Sequence, residues 1–432
     1  MKRNSVENID QEAQSQQSVP SILSKKRLLP GDRVLWVIVA MFFAFSLVAV
    51  YTASSQLGLR DGTIDRELQR HAATLVMSAI ILFGCYMLGA KLIRGASFLA
   101  YVAALILTIL PYIIGHTTND EYRWLNLGFF QFQPSELLKI GTIMFLAAQL
   151  SARHHRIKSI RLLPTTFDVR KWNTPEEAKI IKNDIVPIVL PIALTCAVIL
   201  PSHSSSAIHI FFVSVVLLFI AGIRFKEIVK FLIVAAIIGS IALYLFGRFD
   251  TVVKRVKEWV GIEVVEAKKG NPKKTENFSK DTYHSKMAIQ NGGVFGVGAG
   301  RSMMRAKLTH PESDYLFAVM VEEFGLLLSF VIVLLYLWLF FRSLRIFEQC
   351  EWLYAGLLAV GLAFLVTSQG FLHIGVTLGI LPETGQNLPF ITHGRTGMFC
   401  ASIAVGLILS ISRQVEQGTL LPPSQKEGNR HI

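Results

Sequence analysis

The sequence predicts an all-α polytopic membrane protein, and three observations carry that prediction. Hydrophobic residues make up 52% of the 432-residue chain and charged residues 17%, with a mean hydropathy of +0.47. That balance is too apolar for a water-soluble globule of this length. About ten apolar runs are long enough to cross roughly 30 Å of hydrocarbon. Lys and Arg cluster in alternate connecting loops, as they do in short loops that stay on the cytoplasmic side.

The runs fall near 34–53, 72–89, 96–115, 134–151, 184–200, 205–222, 227–247, 314–341, 352–380 and 392–412. With the N-terminus inside, four short loops face the cytoplasm: 90–95 (Lys91, Arg94), 152–183 (Arg153, Arg156, Lys158, Arg161), 223–226 (Arg224, Lys226) and 342–351 (Arg342, Arg345). The opposite turns at 201–204 and 381–391 carry no Lys or Arg. Both termini are therefore expected in the cytoplasm. Residues 1–30, polar and without an apolar stretch, read as a disordered cytoplasmic tail rather than a signal peptide. The membrane domain covers 31–414, and a second cytoplasmic tail covers 415–432.

One large extracytoplasmic loop, 248–313, joins spans seven and eight. It is basic, but long loops cross largely regardless of charge. The formal charge of +13 sits mostly beside spans, where it orients the chain and meets anionic lipid. No nucleic-acid partner is expected. Cys85, Cys196, Cys350 and Cys400 lie in or beside apolar runs without metal spacing and read as packing residues. No internal repeat is evident, which weakens an inverted-repeat transporter architecture.

This topology places four polar segments on the outer side: Thr117–Lys139, Leu200–His209, the large loop ending at Asp314, and Leu381–Thr396. Their convergence predicts a site reached from the extracytoplasmic space. The stretch "ESDYLFAVMVEEFG" brings Asp314 to the mouth of a span and Glu322 and Glu323 inside it. Ionisable groups at that depth face a bundle interior or a water-filled cavity. On an ideal helix Glu322 lies about 80° around from Asp314 and roughly 12 Å deeper, while Glu323 lies about 180° away. Asp314 and Glu322 can thus share a cavity wall, and Glu323 is expected to pair with another helix. Asp314 is alternatively an N-cap.

In "QPSELLK", Pro134 suits the first position of a helix. Glu136 and Lys139 are three residues apart on one face, which allows a local ion pair. Alternatively Lys139, with Arg123 of "YRW", clamps an anionic group such as a pyrophosphate. "GGVFGVGAG" (Gly292–Gly300) lacks the lysine spacing of a phosphate loop and fits a close-packed or re-entrant loop as well. Upstream, Phe249, Val252, Val253, Val256, Trp259 and Val260 recur at helical spacing between basic residues. That pattern predicts a helix lying on the outer membrane surface.

Three segments, "RWLNLGFFQFQPSELLK", "GGVFGVGAGRSM" leading into "SDYLFAVMVEEFG", and "GILPETGQNLPFITHGRT", occur in the order and spacing of the FtsW/RodA family of shape, elongation, division and sporulation proteins. The chain resembles that family from about Gly31 to Arg413, and its "VYTASS" is similar to FtsW more than RodA. The resemblance implies a peptidoglycan glycosyltransferase in the bacterial cytoplasmic (inner) membrane. Such an enzyme polymerises lipid II, an undecaprenyl-pyrophosphate-linked disaccharide peptide, at the outer face. The implied partners are a class B penicillin-binding transpeptidase and other divisome or elongasome membrane proteins. Asp314 falls on the family's essential aspartate. Arg123, Lys139, Glu136, Glu322, His393 and Arg395 are the implied substrate-binding residues.

The chemistry asks for one general base to take the proton of an acceptor sugar hydroxyl, and for fixed cations or a divalent ion (Mg or Mn) at the departing pyrophosphate. Three segments depart from the family pattern: "THGRT" puts Arg395 where a glycine is usual, "SHSSSA" replaces an acidic residue and a glycine, and "LTHPESD" lacks the usual Leu-Pro. Two other readings compete, a non-catalytic scaffold that activates the transpeptidase and a flippase for the lipid-linked precursor.

Overall fold

The computed structural model describes residues 29–61, 64–114, 124–126, 131–164, 174–260, 280–392 and 394–420. Each of the ten apolar runs is helical. They form α1 (Arg33–Asp61), α2 (Ile64–Met87), α3 (Ala90–Ile114), α4 (Pro134–Ala152), α5 (Pro175–Ile199), α6 (Ser204–Ile220) and α7 (Phe225–Leu245). Two helices then lie within the large loop, α8 (Phe249–Val260) and α9 (Lys280–Gly292), and α10 (Leu316–Gln349), α11 (Leu353–Thr377) and α12 (Arg395–Glu416) follow. Among the described residues, eight helices are long and apolar enough to cross a membrane: α1, α2, α3, α5, α7, α10, α11 and α12. The apolar α6 is shorter, at 17 residues.

The chain is not purely helical. Leu125–Asn126 (β1) and Gln131–Phe132 (β2) pair antiparallel as a small hairpin ahead of α4. The tails expected at 1–30 and 415–432 fall largely outside the described residues, and α12 carries the helix on to Glu416.

Burial ranks the helices. In their most apolar stretches 78% of α11 and 72% of α12 is buried, against 11% of α7. The first two therefore form the central column, and α7 lies at the periphery. The side chains of α11 from Tyr354 through Ala363 are almost all enclosed, which fits a helix apolar on every face.

Proline shapes α5. Pro187 has no N–H to offer the carbonyl of Asn183 four residues earlier, and the turn Ile181–Ile185 widens to π geometry. The freed carbonyl instead accepts from Arg153 Nε at 2.7 Å and Arg156 Nη2 at 3.1 Å. Two basic residues of the predicted cytoplasmic loop thus become part of the fold, and Arg156 also pairs with Asp184 at 2.6 Å.

The same end of the bundle is closed around α12. Asp32 N donates to Ser412 Oγ at 2.8 Å, Gly31 N donates to the Glu416 carboxylate, and Ala90 N donates to Gln414 Oε1 at 3.0 Å. The beginning of α1 and the finish of α12 therefore meet at one end, as both termini on one side of a membrane require. Asp32 caps α1 by accepting from Val34 N at 2.8 Å, and its other oxygen accepts from Arg342 Nε at 2.6 Å.

Asp32→Ala removes a cap and leaves the half-buried Arg342 without this carboxylate, a loss of about 1–3 kcal/mol. The expected outcome is a thermal unfolding midpoint several degrees lower in detergent. Asp32→Asn, which keeps the cap, is expected to fall between the two.

Candidate active site

The described parts of the four polar segments meet at the end opposite the α1–α12 closure. Arg248 Nε donates to Pro201 O at 2.8 Å, Arg255 Nη1 to Ser205 Oγ at 3.4 Å and Gln386 Nε2 to Ser206 Oγ at 2.8 Å. Ser285 Oγ donates to Thr377 O at 2.6 Å, and Gln133 N donates to Thr396 Oγ1 at 3.2 Å. The amphipathic pattern at 249–260 is helix α8, with Phe249, Val256, Trp259 and Val260 exposed, as a helix resting on lipid presents them.

The carboxylates of α10 have a different task from the one helical geometry predicts. Gly325 breaks the helix at φ 79° and ψ 172°, so the regular bonds from residues 326 and 327 back to 322 and 323 are not made. The glycine-rich loop takes up all four groups. Val297 N and Gly298 N donate to the carbonyls of Glu322 and Glu323 at 2.9 and 3.0 Å, while Leu326 N and Leu327 N donate to Gly293 O and Val294 O at 3.0 and 3.3 Å. Backbones this close exclude side chains. A Cβ on Gly296 would lie 2.2 Å from Glu323 O, and one on Gly325 would lie 2.2 Å from Val294 O.

Both glutamate side chains serve the same junction. Glu322, 1% exposed, accepts from Asn291 Nδ2 at 3.2 Å, from Met303 N and Met304 N at 3.3 Å, and from Ser302 Oγ. Glu323 accepts from Gly300 N at 2.9 Å. Arg305 lies buried within electrostatic reach of Glu323; burial lowers its pKa, and Glu323 and then Glu312 oppose that shift. Glu322 is therefore an anchor of the 292–304 loop rather than a cavity wall shared with Asp314. Glu323 binds that loop rather than another helix.

Asp314 lies in a turn ahead of α10. The His310 carbonyl accepts from Ser313 N, Asp314 N and Tyr315 N at 3.3, 3.0 and 3.4 Å. Tyr315, not Asp314, holds the N-cap position, and no side chain caps it. Asp314 is half-buried on this turn. Both ends of the turn are tied down, Thr309 N to Asp281 Oδ1 at 3.1 Å and Tyr315 Oη to Glu383 Oε1 at 2.7 Å. Glu383 also lines a cavity of about 320 Å³ with Ser204, His209, Arg255, Phe212 and Leu372.

The remaining predicted residues divide. Glu136 and Lys139 form the local ion pair at 2.8 Å, and Lys139 Nζ also donates to Gln369 Oε1 at 3.2 Å. With 0% of its surface exposed, Lys139 has no face left for a pyrophosphate. A charge this deep is kept by a close partner and satisfied hydrogen bonds. Arg395 is half-buried at the start of α12. Arg123 and His393 lie outside the described residues.

Sequence reasoning overlooked Tyr315, Thr282 and Glu383. Glu383 carried a signal, as the one charged residue between 381 and 391. Among the described residues no three His, Cys, Asp or Glu side chains stand together where they could hold a metal ion.

A multi-helix membrane protein with polar segments gathered at one end and a carboxylate on a tethered turn is the class that fold and site define. A family model described as cell cycle protein, covering FtsW, RodA and SpoVE, matches residues 32–417, and the chain belongs to this family. It is 27% identical over 401 residues to a probable peptidoglycan glycosyltransferase FtsW of Neisseria gonorrhoeae, covering 88% of this chain and 83% of the relative. It is 28% identical over 398 residues to stage V sporulation protein E of Bacillus subtilis, covering 90% and 99%. A solved structure of a peptidoglycan synthase complex shares the fold with a TM-score of 0.64 at 21% identity, over 89% of this chain and 98% of that one. Crystalline Thermus thermophilus RodA does so with a TM-score of 0.59 at 21% identity, over 90% and 98%.

Gly296→Ala forces the loop off α10, a loss on the order of 2–3 kcal/mol. Hydrogen exchange at residues 297, 298, 326 and 327 is expected to rise together, because those amides share one junction.

Proposed function

We propose that this chain polymerises lipid II into glycan strands at the outer face of the cytoplasmic membrane, in cell division, with Asp314 as the general base. The observation that carries the reading is the position of Asp314, on a turn tethered at both ends where the outer polar segments converge. Family membership and the names of relatives from Neisseria and other bacteria support the activity. The similarity to FtsW relatives favours division over elongation.

The acceptor sugar hydroxyl attacks the anomeric carbon of the donor. The new C–O bond forms as the bond to the lipid pyrophosphate breaks, Asp314 takes the hydroxyl proton, and the pyrophosphate departs with its lipid. A leaving group this good needs no second catalytic carboxylate of the glycosidase kind. Arg123 and Arg395 are the side chains we propose for the pyrophosphate, each able to form bidentate bonds to it. Thr396, beside Arg395, bonds to the 131–133 segment. The cavity beneath α8 suits the lipid portion, since Ile208, Phe212, Val252, Val256 and Leu372 line it.

The similarity to a peptidoglycan synthase complex favours a class B penicillin-binding transpeptidase as partner. A flippase would move the lipid-linked precursor without forming a bond and requires polar groups serving both faces in turn; a single general base at Asp314 serves one. A scaffold would function without Asp314.

Asp314→Asn is nearly isosteric and cannot take the proton. Lipid II polymerisation by the purified chain with its partner is expected to fall by about 10²–10⁴-fold, the usual contribution of a general base. Folding and partner binding are expected to stay intact; wild-type glycan synthesis by this variant contradicts the assignment.

A further inference from the structure

We infer that Glu383 and Tyr315 are a positioning pair for the reaction at Asp314; the inference rests on the reading of Asp314 as the base. Tyr315 directly follows Asp314 and is 4% exposed. Its hydroxyl donates to Glu383 Oε1 at 2.7 Å, and Thr282 Oγ1 donates to the same oxygen at 3.2 Å. Thr282 follows Asp281, whose Oδ1 accepts from Thr309 N at 3.1 Å. These contacts close a ring that runs from Asp281 to Thr309, along the turn to Asp314 and Tyr315, across to Glu383, and back through Thr282. Helix α9 holds both ends of the turn, and Glu383 closes the ring from the loop that leads to α12.

The chemistry of the pair suits positioning. A carboxylate acceptor makes a charge-assisted hydrogen bond roughly twice as strong as a neutral one. Burial, and then the Glu383 carboxylate, push the Tyr315 phenol well above its ordinary pKa, so the hydroxyl keeps its proton and remains a donor. Tyr315 is also the N-cap of α10, so the bond fixes the angle at which the turn enters the helix and with it the place of Asp314. A base displaced by about 1 Å can lose on the order of 100-fold in rate. Glu383 lines the cavity as well, so the pair joins the cavity wall to the turn that carries the base.

A mere staple would hold the fold without setting the rate, and kinetics separate the two. Steady-state polymerisation of lipid II is measured for the full-length chain with its partner in proteoliposomes, as wild type, Tyr315→Phe, Glu383→Ala, Glu383→Gln, the Tyr315→Phe/Glu383→Ala double variant and Asp314→Asn. Thermal unfolding is recorded for each. Tyr315→Phe and Glu383→Ala are each expected to lower kcat by about 10- to 100-fold, with the KM of Tyr315→Phe, a position that does not line the cavity, within about twofold of wild type. The double variant is expected to be no worse than the weaker single, because the two act as one unit. Glu383→Gln is expected to recover most of the turnover lost in Glu383→Ala, because one amide oxygen can accept both hydroxyls.

Wild-type kcat per folded molecule in Tyr315→Phe overturns the proposal, and so does Glu383→Gln turning over as poorly as Glu383→Ala. If Asp314→Asn is inactive while Tyr315→Phe is normal, only the pair falls. If Asp314→Asn polymerises normally, the base reading fails first and the pair falls with it.

Discussion

Two hydrogen bonds that α10 does not make with itself organise the outer half of the molecule. An α-helix crossing hydrocarbon must satisfy every backbone group internally, and α10 cannot do so at Gly325. The unmet carbonyls of Glu322 and Glu323 and the unmet amides of Leu326 and Leu327 are met by the 293–298 segment. That exchange forces the large loop into the bundle, requires glycine where the backbones touch, and explains two adjacent glutamates at membrane depth. They hold the rest of the loop, through Ser302, Gly300 and the amides of Met303 and Met304.

The site follows from this junction. With α9 and the 292–304 loop fixed against α10, the turn 310–315 has rigid elements on both sides. The central helices α11 and α12 supply the other wall, and loop 381–392 between them carries Glu383 across to the turn. Rigid helices thus hold the turn that carries Asp314 at several points.

Much of this was legible in the sequence. The helical character of the ten apolar runs, the amphipathic pattern of α8 and the gathering of polar segments at one end each follow from local periodicity or charge. The error lay in extending ideal helix geometry from Asp314 through Glu323. The helix begins at Leu316, and the Gly325 break was hidden because its cause, the 292–300 glycine run, lies some thirty residues upstream. The same limit applies to Tyr315 and Glu383, which are 68 positions apart, and to Lys139, whose burial depends on Gln369 of α11. Contacts of this range are fixed by packing, and neither spacing nor composition records them.

The central claim is that this chain itself forms the glycosidic bond. The most direct measurement is lipid II polymerisation in proteoliposomes holding the wild-type chain and a class B partner whose transpeptidase serine is blocked, so that any strands formed stay uncrosslinked. The account predicts uncrosslinked glycan strands on a gel, made only when this chain is included. Stable complex formation with no strands at all would contradict it and leave a scaffold in its place.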